Sequence, residues 1–320
     1  MQNQHLLKTY LALVMTVVFW GLSFVATKVA LESIPTFTLI FLRFAVSALI
    51  FLILMVGKGF PSFSGRDHFL VILTAFFEPG LYFIFETIGL QYTSAPKASL
   101  IIATIPIAVL ILSSLVLGER TTLVSAAGVV LSLIGIAILI GGGAGFTWTL
   151  EGSLVGDLLI FGAVISAALY IVSARNLGRN YSALKITSLQ IMYGALFYLP
   201  AFLWELPRVD WPSITFRSLT AMVYLTFFAT VAAFFCYNYA LTKISASRAS
   251  VFINGIPVVT AVGAWLILGE TLTSLQMAGG LLVLLAVFLT NLPSLKRGKA
   301  RGGNNDGPPA GSTAPVRKGP

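Results

Sequence analysis

Residues 94–128 read SAPKASLIIATIPIAVLILSSLVLGERTTLVSAAG, and residues 245–280 read SASRASVFINGIPVVTAVGAWLILGETLTSLQMAGG. The two stretches align without a gap at a spacing of 151 residues, and 17 of the 46 pairs between 90–135 and its equivalent are identical. Apolar sequence matches by chance at Leu and Ile, but aligned Ala-Ser, Ile-Pro and Gly-Glu pairs do not arise that way. The sequence therefore predicts an internal duplication.

Composition places most of the chain in a lipid bilayer. Of its 320 residues, 57% are hydrophobic and 10% are charged, and the mean hydropathy is +0.93. Soluble domains carry about 25% charged residues. The net charge of +9 does not indicate a nucleic-acid partner, because most of the Lys and Arg fall on one side of the predicted membrane topology. The lipid bilayer is the predicted surrounding partner.

Ten segments are long and apolar enough to span a bilayer as helices, which needs about 20 residues each. Their apolar runs are continuous rather than alternating, which favours helices over barrel strands. Segments 1 to 10 are 9–31, 35–57, 67–91, 95–117, 122–140, 153–174, 184–204, 217–242, 246–268 and 272–292. The predicted fold class is thus an all-α membrane protein of ten transmembrane helices.

Charge bias predicts the orientation of these segments. With the N-terminus inside, 15 of the 20 Lys and Arg lie on the cytoplasmic side, which is the bias that insertion favours. Both termini are then cytoplasmic, and the short N-terminus favours a bacterial inner membrane. The chain divides into a first five-helix repeat at 9–141, a second at 153–292 and a basic, Gly- and Pro-rich tail at 293–320 that is predicted to be disordered.

Five segments per repeat is an odd number, so the second repeat enters the membrane upside down. Inverted repeats are typical of secondary transporters, which bind substrate near the midplane and expose it alternately to the two sides. A small-molecule substrate is therefore the predicted soluble partner.

Particular motifs resemble those of the EamA family in the drug/metabolite transporter superfamily. They are FWGLSF at 19–24, TSAPKASLI at 93–101 with the IPI and LGE that follow, and the second copy of that block. The resemblance covers about residues 10–292. It implies a ten-helix bundle with a central cavity lined mainly by segments 1, 3, 4, 6, 8 and 9. It also implies export of amino acids or related metabolites, with proton antiport in many members.

Segment 3 contains FFEPGLYFIFET at 76–87, with two acids and a proline at membrane depth. In a helix, Glu78 and Glu86 lie about 80° apart around the axis and about 12 Å apart along it. Tyr82 lies four residues from each of them. Pro79 removes a backbone donor and predicts a kink. Charges at this depth are costly and face the bundle interior or a wet cavity.

Two roles are open for these acids. Glu78, Tyr82 and Glu86 form a candidate site for carrying a coupling proton or for binding a substrate amino group. The alternative is a structural ion pair with Arg43 or Lys28. At the repeat spacing the two acids correspond to Ala229 and Tyr237, so they are not part of the symmetric scaffold, and this favours function.

Two cations also lie in the apolar segments. Arg43 is about eight residues into segment 2, opposite Gln190 in the second repeat. It either binds a substrate carboxylate or holds one of the acids, and the peripheral place of segment 2 in the family favours the second role. Lys28 lies near the outer end of segment 1, where it either reaches the interface or forms an ion pair.

Further residues are predicted to line the cavity or to bend helices. Pro106 and Pro257 lie at mid-membrane positions, so segments 4 and 9 are expected to bend there. The predicted cavity lining comprises Trp20, Ser23, Phe24, Ser99, Tyr237, Asn238 and Asn254. Of the two Gly-Glu pairs, Gly118-Glu119 and Gly269-Glu270, we expect the glycines to cap segments 4 and 9 and the acids to favour the next helix start.

The sequence carries few signs of other chemistry. A single cysteine, Cys236, excludes an internal disulfide and a Cys-based metal site, and no metal or cofactor is predicted. No P-loop, HExxH or GxSxG motif is present, so an enzyme is not predicted. The remaining alternatives are an exchanger or facilitator of sugars, nucleotides or other metabolites, and a membrane subunit without transport activity.

Overall fold

A computed structural model describes residues 2–58, 63–117, 123–142 and 152–302. Within these ranges the chain folds into helices joined by short turns, with no β-strand. The α-helices are α1 Gln2–Leu31, α2 Thr36–Lys58, α3 Gly65–Ala75, α4 Tyr82–Tyr92, α5 Ala95–Ile102, α6 Ile105–Leu117, α7 Leu123–Gly141, α8 Ser153–Leu177, α9 Ala183–Glu205, α10 Phe216–Tyr224, α11 Ala233–Lys243, α12 Ala246–Val251, α13 Ile256–Leu268 and α14 Ser274–Gly302.

Eight helical stretches of the described residues are long and apolar enough to cross a membrane. They correspond to segments 1–4 and 6–9, and are Leu7–Leu31, Thr36–Val56, Gly65–Tyr92, Ala95–Leu112, Ser153–Leu177, Ala183–Arg208, Phe216–Lys243 and Ala246–Leu268. Segments 5 and 10 coincide with α7 and α14, whose described apolar parts, Val130–Gly141 and Ser274–Ala286, are shorter. A total of ten crossings therefore stays a prediction.

The outer surface of the bundle is strongly apolar. Large side chains such as Leu115, Phe216, Trp204 and Leu266 are mostly exposed. A surface of this kind is stable against lipid and not against water. The chain is an integral, multi-pass membrane protein.

In the described part of the chain four segments are interrupted, and the interruptions recur at the repeat spacing. Segment 3 breaks at a π-helical turn, Phe76–Leu81, and segment 8 at another, Leu225–Ala232. Segment 4 breaks after Ile102, and segment 9 passes through a 3₁₀ turn, Phe252–Gly255. The bends predicted at Pro79, Pro106 and Pro257 coincide with these interruptions, since each proline lies inside one or directly after it.

The helices of the two predicted repeats interlock. The first helix, α1, packs against α10, α11 and α13, whereas α8 packs against α3, α4, α5 and α6. The approach of α8 to α4 is close, because a Cβ added at Gly156 would lie 2.8 Å from the carbonyl oxygen of Gly89. The first helix of each half therefore packs among helices of the other half. The space between the two halves lies at the centre of the bundle.

The C-terminal helix differs from the prediction of a disordered tail at 293–320. Helix α14 continues to Gly302, and Leu, Lys, Arg and Ala in its last turns are good helix formers. Residues 303–320 lie outside the described part of the chain.

Candidate functional site

A cavity lies at the centre of the bundle, at the level of the helix breaks. It is lined by Trp20, Ser23, Phe24, Arg43, Glu78, Tyr82, Phe83, Glu86, Ile102, Ile105, Ala167, Tyr170, Ile171, Tyr237, Ile253 and Ile256. These residues come from segments 1, 2, 3, 4, 6, 8 and 9. Segments of both predicted repeats therefore contribute to one site.

The cavity is narrow in this conformation. Its volume, counted as the space open to the centre of a water molecule, is about 30 Å³. A single water needs about 10–15 Å³ by that measure, so one or two water molecules fit. An amino acid would require the helices around the cavity to separate.

Three side chains of segment 3 face this space together. Glu78 and Glu86 are 5% and 2% exposed, and Tyr82 lies between them in sequence. Glu78 occupies the break itself, where its extended backbone (φ −147°, ψ 116°) interrupts the helix. Glu86 Oε2 accepts a hydrogen bond from Thr87 Oγ1 at 3.2 Å. The break thus directs a carboxylate inward that a continuous helix would place differently.

Arg43 enters the same cavity from segment 2. It is 3% exposed, and its Nε donates to Thr230 Oγ1 at 2.5 Å. Its guanidinium carbon lies 4.5 Å from the centre of the Phe83 ring, a cation–π contact. Among the described residues its Nη2 has no hydrogen-bond partner, and no carboxylate lies within 4 Å of it. Segment 2 was expected to be peripheral, yet it supplies the cation of the cavity.

One face of α9 holds the break of segment 3, a feature that sequence reasoning missed. Gln190 Nε2 donates to the carbonyl oxygen of Glu78 at 2.7 Å, and Tyr198 donates its hydroxyl to the carbonyls of Pro79 and Gly80. Between them, Gly194 leaves room for the Pro79 ring, because a Cβ there would lie 2.2 Å from Pro79 Cγ. These three residues of α9 are spaced four apart and form a cradle for the break.

Segment 2 holds the break of segment 8 in the same manner. Arg43 donates to Thr230, and Ser47 Oγ, which donates to the carbonyl oxygen of Arg43 at 2.8 Å, also lies 3.3 Å from the carbonyl oxygen of Thr226. Thr230 Oγ1 in turn donates to the carbonyl oxygen of Leu225, five residues earlier, at 2.9 Å. The π-helical turn therefore places a hydroxyl where it can accept from the buried guanidinium.

Aromatic rings form one wall of the cavity. Trp20 packs against Tyr237 with ring centres 5.0 Å apart, and its Nε1 donates to the carbonyl oxygen of Ala229 at 3.1 Å. Tyr170 stacks obliquely on Tyr237 at 6.5 Å. The Tyr237 hydroxyl is buried and lacks a hydrogen-bond partner among the described residues. This wall combines flat apolar surface with an unused polar group.

Comparison with models of known protein families shows which family the chain belongs to. The model of the EamA-like transporter family matches residues 7–141 and 154–292. The chain belongs to this family.

Several relatives of this EamA-like chain carry the word transporter in their names. It is 30% identical over 283 residues to the uncharacterized transporter YetK of Bacillus subtilis, covering 88% of this chain and 86% of YetK. It is also 30% identical over 284 residues to an uncharacterized transporter of Archaeoglobus fulgidus, covering 88% of this chain and 98% of that protein. A WAT1-related chloroplastic protein of Arabidopsis thaliana is 28% identical, covering 86% of this chain and 67% of that protein. The chain is therefore a membrane transporter.

A solved crystal structure shares the fold of the EamA-like chain. The match has a TM-score of 0.67 at 18% identity and covers 90% of this chain and 98% of the other. At that identity the likeness concerns the fold alone.

Three residues expected to line the cavity of the EamA-like transporter lie elsewhere. Ser99 donates to the carbonyl oxygen of Pro96 at 2.7 Å, within its own helix. Asn238 is held behind the cavity, where its Nδ2 donates to Thr187 and Gln190 and its Oδ1 accepts from Tyr170. Asn254 sits in the 3₁₀ turn of segment 9 and does not reach the cavity, although its neighbours Ile253 and Ile256 do.

Lys28 also lies outside the cavity, and its partner was unexpected. It forms an ion pair with Glu270 at 2.5 Å, not with Glu78 or Glu86. Glu270 was interpreted as an acid at a helix start, but it joins segment 9 to segment 1. Gly269 has the left-handed conformation (φ 67°) that the predicted cap requires, which confirms that part of the interpretation. Gly118-Glu119 lies outside the described residues.

Metal binding has no support in the described part of the chain, where no three His, Cys, Asp or Glu side chains lie close enough to hold an ion.

Proposed function

We propose that this transporter is a secondary active exporter of small metabolites, namely amino acids or related compounds, driven by proton exchange. Ten transmembrane helices form two inverted repeats with both termini in the cytoplasm. The membrane is a bacterial inner membrane. Substrate crosses through the central cavity by alternating access.

The unpaired guanidinium of Arg43 is the observation that carries this proposal. Its Nη2 is buried and has no acceptor among the residues that the structure describes, in a cavity that also contains Glu78 and Glu86. A buried donor left without a partner is costly, so an acceptor supplied by the substrate would stabilise the loaded state. A carboxylate fits a guanidinium in charge and geometry.

The acids supply the complementary half of the site. A substrate ammonium group can bind to Glu78 or Glu86 while the substrate carboxylate binds to Arg43. A compound with both groups therefore matches the cavity better than a simple anion or cation. The aromatic wall of Trp20 and Tyr237 suits an apolar side chain on that compound.

Proton exchange follows from competition for the same carboxylates. With both acids ionised the cavity has one positive and two negative charges, and uptake of a proton by either acid cancels the excess. A substrate ammonium group and a proton would then be alternative occupants. Such competition couples export of one to import of the other, because each must leave before the other binds.

The helix breaks provide the moving parts of this mechanism. The narrow cavity of about 30 Å³ must widen toward one side at a time to admit a substrate. Segments 3 and 8 each carry a π-helical turn beside the cavity, and π-helical turns are frequent at functional sites. Bending at these turns would open the two ends in turn, while the contacts of α9 with segment 3 and of segment 2 with segment 8 keep the site assembled.

An exchanger of phosphorylated metabolites fits this cavity less well. Phosphate groups need several cations or backbone donors. Among the described lining residues Arg43 is the only Lys or Arg, and two carboxylates oppose a multiply charged anion. This alternative predicts tight binding of sugar phosphates or nucleotides, which the first proposal does not.

A ligand screen followed by transport tests the proposal. The purified protein is screened by thermal shift against amino acids, sugar phosphates and nucleotides at two pH values. Compounds that bind are then assayed in proteoliposomes with an imposed pH gradient. We expect an amino acid or close relative to accumulate against its gradient. If Glu78→Gln and Glu86→Gln both keep full proton-driven transport, the role of these acids as proton carriers is wrong.

A further inference from the structure

Five polar residues form a continuous bridge across one end of the bundle, outside the cavity. Lys28 Nζ pairs with Glu270 Oε1 at 2.5 Å and donates to the carbonyl oxygen of Thr93 at 2.9 Å. Thr93 Oγ1 donates to Asp157 Oδ1 at 2.8 Å, and Asp157 Oδ2 pairs with Lys97 at 2.6 Å. We call Lys28, Thr93, Lys97, Asp157 and Glu270 the polar bridge.

The polar bridge joins helices from both predicted repeats. Lys28 ends segment 1, while Thr93 and Lys97 flank the turn between segments 3 and 4. Asp157 begins segment 6, and Glu270 follows segment 9. Glu270 Oε2 also accepts from the backbone N–H of Ala95 at 2.8 Å, so both of its oxygens are used. The bridge therefore connects the ends of segments 1, 3, 4, 6 and 9, and each of these segments also contributes residues to the cavity lining.

The two ion pairs of the bridge differ in depth. The Lys97 and Asp157 side chains are 4% and 0% exposed, whereas those of Lys28 and Glu270 are 24% and 21% exposed. A buried pair is hard to separate without leaving charges unpaired. A partly exposed pair can exchange its partner for water and is weakened by salt. The outer pair is therefore the one suited to open and close.

Thr27 shows how close the bridge lies to the cavity. It is 1% exposed, and its hydroxyl has no partner among the described residues. It is one helical turn from Ser23, which lines the cavity, and next to Lys28 of the bridge. Along α1, Thr27 therefore lies between the polar bridge and the cavity.

We propose that the Lys28–Glu270 pair is the gate of this end of the transporter. The pair is closed in the present conformation and must separate before substrate passes between the cavity and that side. This inference rests on the alternating access proposed above. With both termini cytoplasmic, the gate faces away from the cytoplasm.

A cysteine at position 27 reports opening of this end without any substrate. In a Cys236→Ala background, Thr27→Cys is labelled with a membrane-impermeant thiol reagent added outside intact cells. We expect slow labelling, which Glu270→Gln or Lys28→Met accelerates about fivefold, the change expected from loss of one partly exposed pair. Glu270→Gln keeps an acceptor for the Ala95 N–H, so its effect reports the lost charge.

Two control experiments distinguish a gate from a purely structural contact: the salt dependence of labelling, and a substitution in a neighbouring ion pair. Raising the salt concentration should accelerate labelling of Thr27→Cys alone and have little effect once Glu270→Gln is present. The pair Arg217–Glu32 lies at the same end, is more exposed and has a longer distance of 3.5 Å. Glu32→Gln is therefore the matched control and should leave labelling unchanged.

Two outcomes would overturn the gate. One is labelling that stays slow in both Glu270→Gln and Lys28→Met at any salt concentration. The other is acceleration by Glu32→Gln equal to that by Glu270→Gln, because then any charge lost at this end has the same effect. Since no substrate is added, a positive result stands even if the amino-acid and proton assignments fail.

Discussion

Gly194→Ala is expected to disturb the cradle that holds the break of segment 3. The added Cβ would lie 2.2 Å from Pro79 Cγ, whereas ordinary contact begins at 3.4 Å. The rigid ring and α9 must then separate by about 1.2 Å, which stretches the hydrogen bond from Gln190 to the Glu78 carbonyl from 2.7 Å to about 3.9 Å. That distance is no longer a hydrogen bond.

Opposing energies set the net effect of this substitution. Overpacking costs about 1–3 kcal/mol, and the lost hydrogen bond costs about 1 kcal/mol. Replacing Gly by Ala within a helix returns about 1 kcal/mol of propensity. The free energy of unfolding should therefore fall by about 2 kcal/mol. The displaced Glu78 should also lower proton-driven transport.

Thermal unfolding of the purified protein measures the loss of stability. The matched control is Gly65→Ala, because an added Cβ there meets nothing within 4 Å, and it should be neutral or stabilising. A double variant with Pro79→Ala should be less destabilised than the sum of the single changes, since the clash is relieved. Unchanged unfolding of Gly194→Ala, with full transport, would refute the close packing of α9 on the break.

Three further substitutions address the cavity and its supports. Arg43→Lys keeps the charge but cannot offer two parallel N–H groups to a carboxylate, so substrate affinity measured by titration should fall about tenfold, and unchanged affinity would argue against a carboxylate at Arg43. Thr230→Val leaves the buried Nε of Arg43 without an acceptor and should cost about 1–3 kcal/mol in thermal unfolding, whereas the exposed Thr220→Val should not. Tyr198→Phe removes the hydroxyl that binds the carbonyls of the break and should cost about 1 kcal/mol. Equal stability of Tyr198→Phe and wild type would show that those hydrogen bonds are not needed.

Local composition was enough to predict most of the helices and their interruptions. Long apolar runs predict spanning helices because lipid requires every backbone group to be satisfied within the segment. Pro79, Pro106 and Pro257 predict breaks because proline lacks a donor and collides with the preceding turn. The repeat then indicates which breaks have a counterpart in the other half, although segment 8 breaks with no proline in its π-helical turn.

Contacts between distant elements were not predictable in the same way. Glu270 has the local pattern of a helix-start acid, yet its partner Lys28 is 242 residues away. Gln190 was noticed only as the equivalent of Arg43, and nothing in the sequence indicates that it bonds to Glu78. A single sequence shows which side chains are able to pair, but it does not show which helices are in contact. Those contacts are set by the interlocking of the two halves.

Asn238 is a residue that the sequence wrongly suggests as part of the cavity lining. An amide at membrane depth suggests a ligand contact, but this one is consumed by Tyr170, Thr187 and Gln190. Arg43 is the opposite case, since a residue of a peripheral segment reaches the cavity through its long side chain. Residue type alone therefore does not show which side chains line the cavity. What decides this is how far a side chain reaches and whether its polar groups are already hydrogen-bonded to neighbouring helices.

Exchange across proteoliposome membranes tests the central claim most directly, namely that substrate crosses through the cavity of Arg43, Glu78 and Glu86. Counterflow of the identified substrate is measured with no pH gradient, beside accumulation driven by one. We predict that Arg43→Ala loses both activities, and that Glu78→Gln or Glu86→Gln keeps counterflow but loses proton-driven accumulation. Full counterflow and full accumulation by Arg43→Ala would contradict the account.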